Sequence, residues 1–172
     1  MKVYIVRHTA VGVNGVCYGQ TDVPLKDTFE TEAEVVKQKL QNITHDAVFS
    51  SPLSRCRRLA TYCGYGDELQ LHDRLKELHF GDWEMHRWDD IDMSEWEKDW
   101  INNPAPNGES FQHMYERVAS FLDELKEENY KEVIIFAHGG VINCARVYFK
   151  QTTLNGAFDQ LAEYGEVLEF EL

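Results

Sequence analysis

The distribution of apolar residues along the chain predicts alternating strands and helices. Strand-like runs fall at residues 2–6, 47–49, 133–136 and 168–172. The first three are apolar almost throughout, the pattern of strands buried on both faces. The last alternates apolar with charged residues, which predicts an edge strand with one face in water. Between these runs, apolar positions recur at helical spacing. Thr31-Glu32-Ala33-Glu34 has the form of a capping box, and Ala33, Val36 and Leu40 follow on one face. Cys56, Leu59, Ala60 and Cys63 make a second stripe. Phe111, Met114, Tyr115, Val118, Leu122 and Leu125 make a longer third, with Ser110 in place as its N-cap. Val141, Ile142, Ala145 and Phe149 make a fourth. The alternation implies an α/β fold of three layers, α/β/α, with a mostly parallel central sheet and helices on both faces.

Residues 80–108 break that pattern. This stretch holds all four tryptophans, two prolines and many acids, and irregular sequence of that length inside a domain predicts a functional lid or insertion. Trp96 and Trp100 stand four apart and would share a helix face. Over a ligand pocket they would stack on a flat heteroaromatic base; otherwise they seal the lid against the core. No internal repeat and no Gly/Ser linker interrupts the chain, so residues 1–172 read as one domain with the insertion over the C-terminal ends of the strands.

Composition narrows the function. A formal charge of −13 argues against a nucleic-acid or anionic-membrane surface, and no apolar run approaches the roughly 18 residues of a membrane span. The N-terminal residues lack the basic-then-apolar pattern of a leader, so export is not expected, and Cys17, Cys56, Cys63 and Cys144 show neither CxxC nor zinc-ligand spacing. Free thiols in a reducing, cytoplasmic setting are expected, with no role for Cys17. In so acidic a chain, any cluster of arginine and histidine stands out.

Such a cluster lies at the strand ends. In open parallel sheets the ligand crevice lies beyond the C-terminal ends of the strands. The first strand runs into Arg7-His8, the second into Ser50-Ser51-Pro52-Leu53-Ser54-Arg55, and the third into His138-Gly139-Gly140 at the start of a helix. A strand-end histidine alone is ordinarily structural. Two histidines, two arginines and a glycine-rich helix N-terminus at matching positions point instead to a phosphoryl group. GxxxxGK[ST] and GxSxG are absent, and arginines beside His8 and His138 would repel a metal ion.

These residues belong to longer motifs: "VRHT" with Asn14 following, "YGQTDVPL", "SSPLSRCRRLA", "LKELHFGDWE" and "IIFAHGGVI". Together they resemble the histidine phosphatase superfamily, in its phosphoglycerate-mutase-like branch. "KELHFGDWEM" and the "NGESF" stretch that follows most resemble the α-ribazole phosphatases of cobalamin nucleotide-loop assembly. The resemblance implies a phosphomonoesterase needing no metal or cofactor and acting on a small phosphate ester. That ester would be α-ribazole 5′-phosphate or the cobalamin 5′-phosphate. It makes His8 the nucleophile. Arg7, Arg55, His138, Asn14 and Gly139 become phosphate ligands, and Glu77 the proton donor to the leaving group, with Asp82 and Glu84 as competing acids. The family's usual RHGET is here Arg7-His8-Thr9-Ala10-Val11. A mutase sharing the pocket and a non-catalytic phospho-ligand module are the alternatives. Few basic residues are available for a second acidic group, which disfavours the mutase. Retention of both histidines, both arginines and a candidate acid disfavours the module.

Overall fold

Side chains on successive strand residues face opposite sides of a sheet, and the buried strands here divide accordingly. The computed structural model describes residues 1–172. Its strands are β1 (Lys2–Arg7), β2 (Ala47–Ser50), β3 (Leu69–Leu71), β4 (Glu132–Ala137) and β5 (Val167–Glu171). They form one sheet in the order β3-β2-β4-β1-β5, parallel except for β5, which pairs antiparallel with β1. Val3, Ile5, Phe49, Val133 and Ile135 face one core; Tyr4, Val6, Val48, Ile134 and Phe136 face another. The first core is closed by α4 (Phe111–Lys126) and α5 (Gly139–Tyr148), the second by α1 (Phe29–Leu40) and α2 (Ser54–Tyr62). The three-layer α/β/α arrangement follows directly from strands apolar on both faces.

Two local expectations need correction. Helix α1 begins at Phe29, before the supposed capping box, with Thr28 as its N-cap residue. Glu32 is no cap: one carboxylate oxygen accepts from the Thr28 hydroxyl and the other from the Ala10 backbone N–H at 2.9 Å. It thereby ties α1 to the loop that follows β1. The edge strand β3 went unpredicted, because it has only three residues, none of them buried, and carries no readable alternation. By contrast, Ser110 caps α4 as expected, accepting from the His113 N–H at 3.2 Å.

The insertion is stitched to the loop after β1. Met85 N–H donates to the Cys17 carbonyl at 2.7 Å, Cys17 N–H to His86 at 2.8 Å, and Trp88 N–H to Gly15 at 3.0 Å. Within it the only α-helix is α3 (Ser94–Lys98), which ends before Trp100. Gly81 turns the chain at φ 52°, where a Cβ would lie 2.0 Å from the Pro106 carbonyl. Only glycine meets both demands.

Candidate active site

Register brings the three strand ends together. Arg7 pairs with Ala137 across β1 and β4, and Ser50 pairs with Phe136 across β2 and β4. The next residue of each chain segment therefore shares one rim. His8 N–H donates to the Ala137 carbonyl at 3.1 Å, and Ser51 N–H to Phe136 at 2.9 Å. The His8 and His138 rings meet edge-on with centroids 5.2 Å apart.

His8 is 2% exposed. Its Nδ1 lies 2.7 Å from the Thr9 carbonyl, an acceptor only, so Nδ1 carries the proton and Nε2 keeps its lone pair. Burial, then the charges of Arg55 and Arg7, pull its pKa from 6.5 to about 3 against the opposing Thr9 hydrogen bond. His8 is thus a neutral imidazole with one nucleophilic nitrogen. Burial, followed by Arg55, likewise holds His138 well below its ordinary value. His138 is therefore uncharged at neutral pH in the free protein, and as a neutral ring it still has one N–H to donate.

The arginines are held by carbonyls. Arg55 is fully buried, one residue into α2; it donates from Nη1 to Thr21 at 3.0 Å and from Nη2 to Gly19. Asp22 caps that helix by accepting from Ser54 N–H at 2.8 Å. Arg7 donates to the Ala162 carbonyl and lies 4.1 Å over the Tyr164 ring. A Cβ on Gly139 would touch the Arg7 guanidinium at 3.4 Å, which places that group against the α5 N-terminus. The Nε–H groups of both arginines are buried without a partner. Buried donors are rarely left so, and a bound anion would satisfy them.

Glu77 faces the same space. Its Oε1 accepts from Leu78 N–H at 2.9 Å and its Oε2 from Gly140 N–H at 3.1 Å. A Cβ on Gly140 would stand 2.1 Å from Glu77 Oε1, so a side chain there would displace that carboxylate. Arg117 on α4 went unnoticed in the sequence. It donates to the carbonyls of Arg74 and Lys76, both at 2.7 Å, and of Glu77 at 3.0 Å, fixing the backbone that carries the acid. Of the competing acids, Glu84 is fully committed. Burial alone would raise its pKa, but N–H donation from Gly19, Gln20 and Phe80 and a contact with Thr21 outweigh it and lower the value. Asp82 is exposed and accepts from Asn107. Asn14 is exposed and does not line the cavity that holds His8 and Glu77. Cys17 is buried, and burial pushes its thiol up to about 12, so it is inert.

That cavity has a volume of about 400 Å³. Arg7, His8, Glu77 and Gly140 mark one end, and Phe80, Trp88, Phe111, Phe158 and Leu161 make up much of the rest. Of the two expectations for Trp96 and Trp100, sealing against the core is the one the packing matches. Trp96 and Trp100 do not line the cavity; Trp100 packs behind it on Phe111 and Phe158, with centroids 5.4 and 5.1 Å away, and Trp96 packs on Trp100. The tryptophan that does face the ligand space is Trp88, edge-on to Phe80 at 5.6 Å. Phe158 and Leu161 come from the irregular segment 149–166, which no periodic pattern marks.

A neutral, tautomer-fixed imidazole flanked by two guanidinium groups at a helix N-terminus, above the strand ends of an α/β sheet, defines a phosphoryl-transfer enzyme. The model of the histidine phosphatase superfamily (branch 1) matches residues 3–171, so the chain belongs to that family and is a phosphatase. It is similar to the adenosylcobalamin/alpha-ribazole phosphatase of Salmonella typhimurium, 30% identical over 83% of this chain and 76% of that one. Among solved structures, the alpha-ribazole phosphatase from Shigella flexneri shares the fold with a TM-score of 0.90 at 24% identity, over 100% of this chain and 91% of that one. The phosphoglycerate mutase from Thermus thermophilus matches with a TM-score of 0.79 at 29% identity, over 98% and 92% of the two chains. No helix is long and apolar enough to cross a membrane.

The two neutral histidines make stability depend on pH. Their folded pKa values lie below the ordinary 6.5, so between about 6.5 and 3 the unfolded chain binds more protons than the folded one. Stability is therefore complete above 6.5 and is lost as pH falls, by up to about 1.4 kcal/mol per pH unit for each such group. Urea midpoints at pH 7 and pH 5 measure this. The drop should be smaller in His8→Ala than in the wild type; equal drops would show that His8 is not the source.

Proposed function

We propose that this phosphatase hydrolyses α-ribazole 5′-phosphate through a phosphohistidine on His8. The shape of the cavity carries this reading. One end is polar, with Arg7, His8 and Glu77, and most of the remaining wall is apolar and aromatic. Its volume of about 400 Å³ lies within the usual range for small-molecule sites, roughly 300–1,000 Å³. A phosphate ester of a flat aromatic nucleoside matches both ends. The names of the Salmonella and Shigella relatives support the same substrate.

In this reading His8 Nε2 attacks phosphorus in line with the ester oxygen. The N–P bond forms as the P–O bond breaks, and charge spreads over three equatorial oxygens. Arg7, Arg55, the His138 N–H and the α5 N-terminus stabilise that charge, while Glu77 protonates the departing alkoxide. Water then attacks the phosphohistidine, giving up a proton to the Glu77 carboxylate and restoring both groups. Asn14 is proposed to turn towards the phosphate only when it is bound, since in the free protein it is exposed. A mutase would have to hold a small substrate bearing both phosphate and carboxylate. In this reading Arg7 and Arg55 are both given to the phosphate, and no other arginine or lysine lines the cavity to meet that carboxylate.

A panel of α-ribazole 5′-phosphate, cobalamin 5′-phosphate, purine and pyrimidine mononucleotides and phosphoglycerates tests this. The ribazole ester should give the highest kcat/KM, and phosphoglycerates should be hydrolysed poorly and not isomerised. Faster turnover of any other ester would overturn the substrate assignment and leave the phosphatase standing.

A further inference from the structure

Ser51 is the fully buried residue that follows β2, and nothing in the phosphate chemistry uses it. Its Oγ lies 2.8 Å from His138 Nε2 and accepts from the Leu53 backbone N–H at 3.3 Å. A buried hydroxyl proton needs an acceptor, and the Leu53 N–H can only donate. The neighbouring Cys56 sulfur, 3.4 Å from the same His138 Nε2, is a weak acceptor, and its own proton has the Ala137 carbonyl 3.2 Å away. The good acceptor left to the Ser51 proton is His138 Nε2. The backbone holds this geometry in place, because Ser51 N–H pairs with Phe136 and so keeps the turn against the end of β4.

We propose that Ser51 is a positioning residue: its hydroxyl donates to His138 Nε2 and holds that ring in its Nδ1–H tautomer. The proton then sits on the nitrogen whose nearest protein partner is the Cys56 sulfur at 3.8 Å, a weak acceptor. That N–H is left to donate to a phosphoryl oxygen. The opposite tautomer would present a lone pair to an anion. The inference rests on the role given to His138 under the proposed function, and its consequence is felt most as charge builds on the phosphoryl oxygens.

Two-bond ¹H–¹⁵N spectra of the His138 ring read the tautomer without reference to activity. The wild type should show Nδ1 protonated and Nε2 bare, and Ser51→Ala should show a mixture or a reversal. The same variant should lose kcat by about 10–100-fold, the usual range for partners that orient a functional imidazole, with KM moving far less. Ser51→Thr, which keeps the hydroxyl, should restore both. A wild-type ring protonated at Nε2 would overturn the proposal, as would Ser51→Ala with unchanged tautomer and kcat. Full activity in His138→Gln would instead remove the reading of His138 as a donor while leaving the tautomer result intact.

Discussion

Replacing His8 by alanine is expected to lower turnover of every phosphate ester by at least about 10⁴-fold, the scale on which covalent nucleophiles act. No neighbour can take over. His138 has Nε2 engaged by Ser51, the Cys56 thiol is fully buried with its pKa raised by burial, and Ser51 is fully buried and does not line the cavity. The fold should survive, because the His8 side chain makes one protein hydrogen bond, from Nδ1 to its neighbour Thr9. The sheet pairing of β1 with β4 does not pass through that ring. Circular dichroism and a thermal transition separate the two effects. A folded His8→Ala that keeps more than a hundredth of wild-type turnover would show that the phosphoryl group is accepted elsewhere.

The second large effect concerns Glu77. Each of its carboxyl oxygens accepts one backbone N–H, from Leu78 and from Gly140, and each retains a second lone pair that can carry a proton. The carboxyl group is therefore oriented by the backbone, with a lone pair on each oxygen left free toward the cavity. With Glu77→Gln, an alkyl phosphate whose leaving group needs protonation should lose about 10²–10⁴-fold in kcat, the typical worth of general acid catalysis. p-Nitrophenyl phosphate, whose leaving group departs without help, should lose far less. Equal losses for both esters would make Glu77 a binding or structural residue. Glu84 would not replace it, since four backbone N–H groups already hold it as a staple between the loop after β1 and the insertion.

That the strand-end arginines and histidines come together was legible in the sequence, because they lie on strands. Residues 2–6, 47–49 and 133–136 are apolar on both faces, and their abrupt change to arginine, serine and histidine marks the strand ends that the sheet register then aligns. The ligand wall was not legible. Phe158 and Leu161 lie on a segment whose path is set by distant groups: Arg146 donates to the Gln160 carbonyl and Arg7 to the Ala162 carbonyl. Such bonds leave no period in the local sequence. Spacing of four predicted a shared face for Trp96 and Trp100, and their rings do neighbour each other, yet they back the wall and do not face the cavity. Trp88 faces it because the 85–88 turn pairs with 15–17, a contact invisible from either segment alone. The capping-box pattern misplaced the start of α1 because Glu32 holds Ala10 and Thr28 at once.

The central claim is a covalent phosphoryl group on His8, and rapid quenching tests it most directly. Enzyme mixed with [³²P]α-ribazole 5′-phosphate and quenched in alkali within one turnover should carry label that is stable to base and labile to acid. Peptide mapping should place that label on His8, and His8→Ala should carry none. Acid-stable label, label on any other residue, or a full burst of free phosphate with no labelled protein would contradict the account.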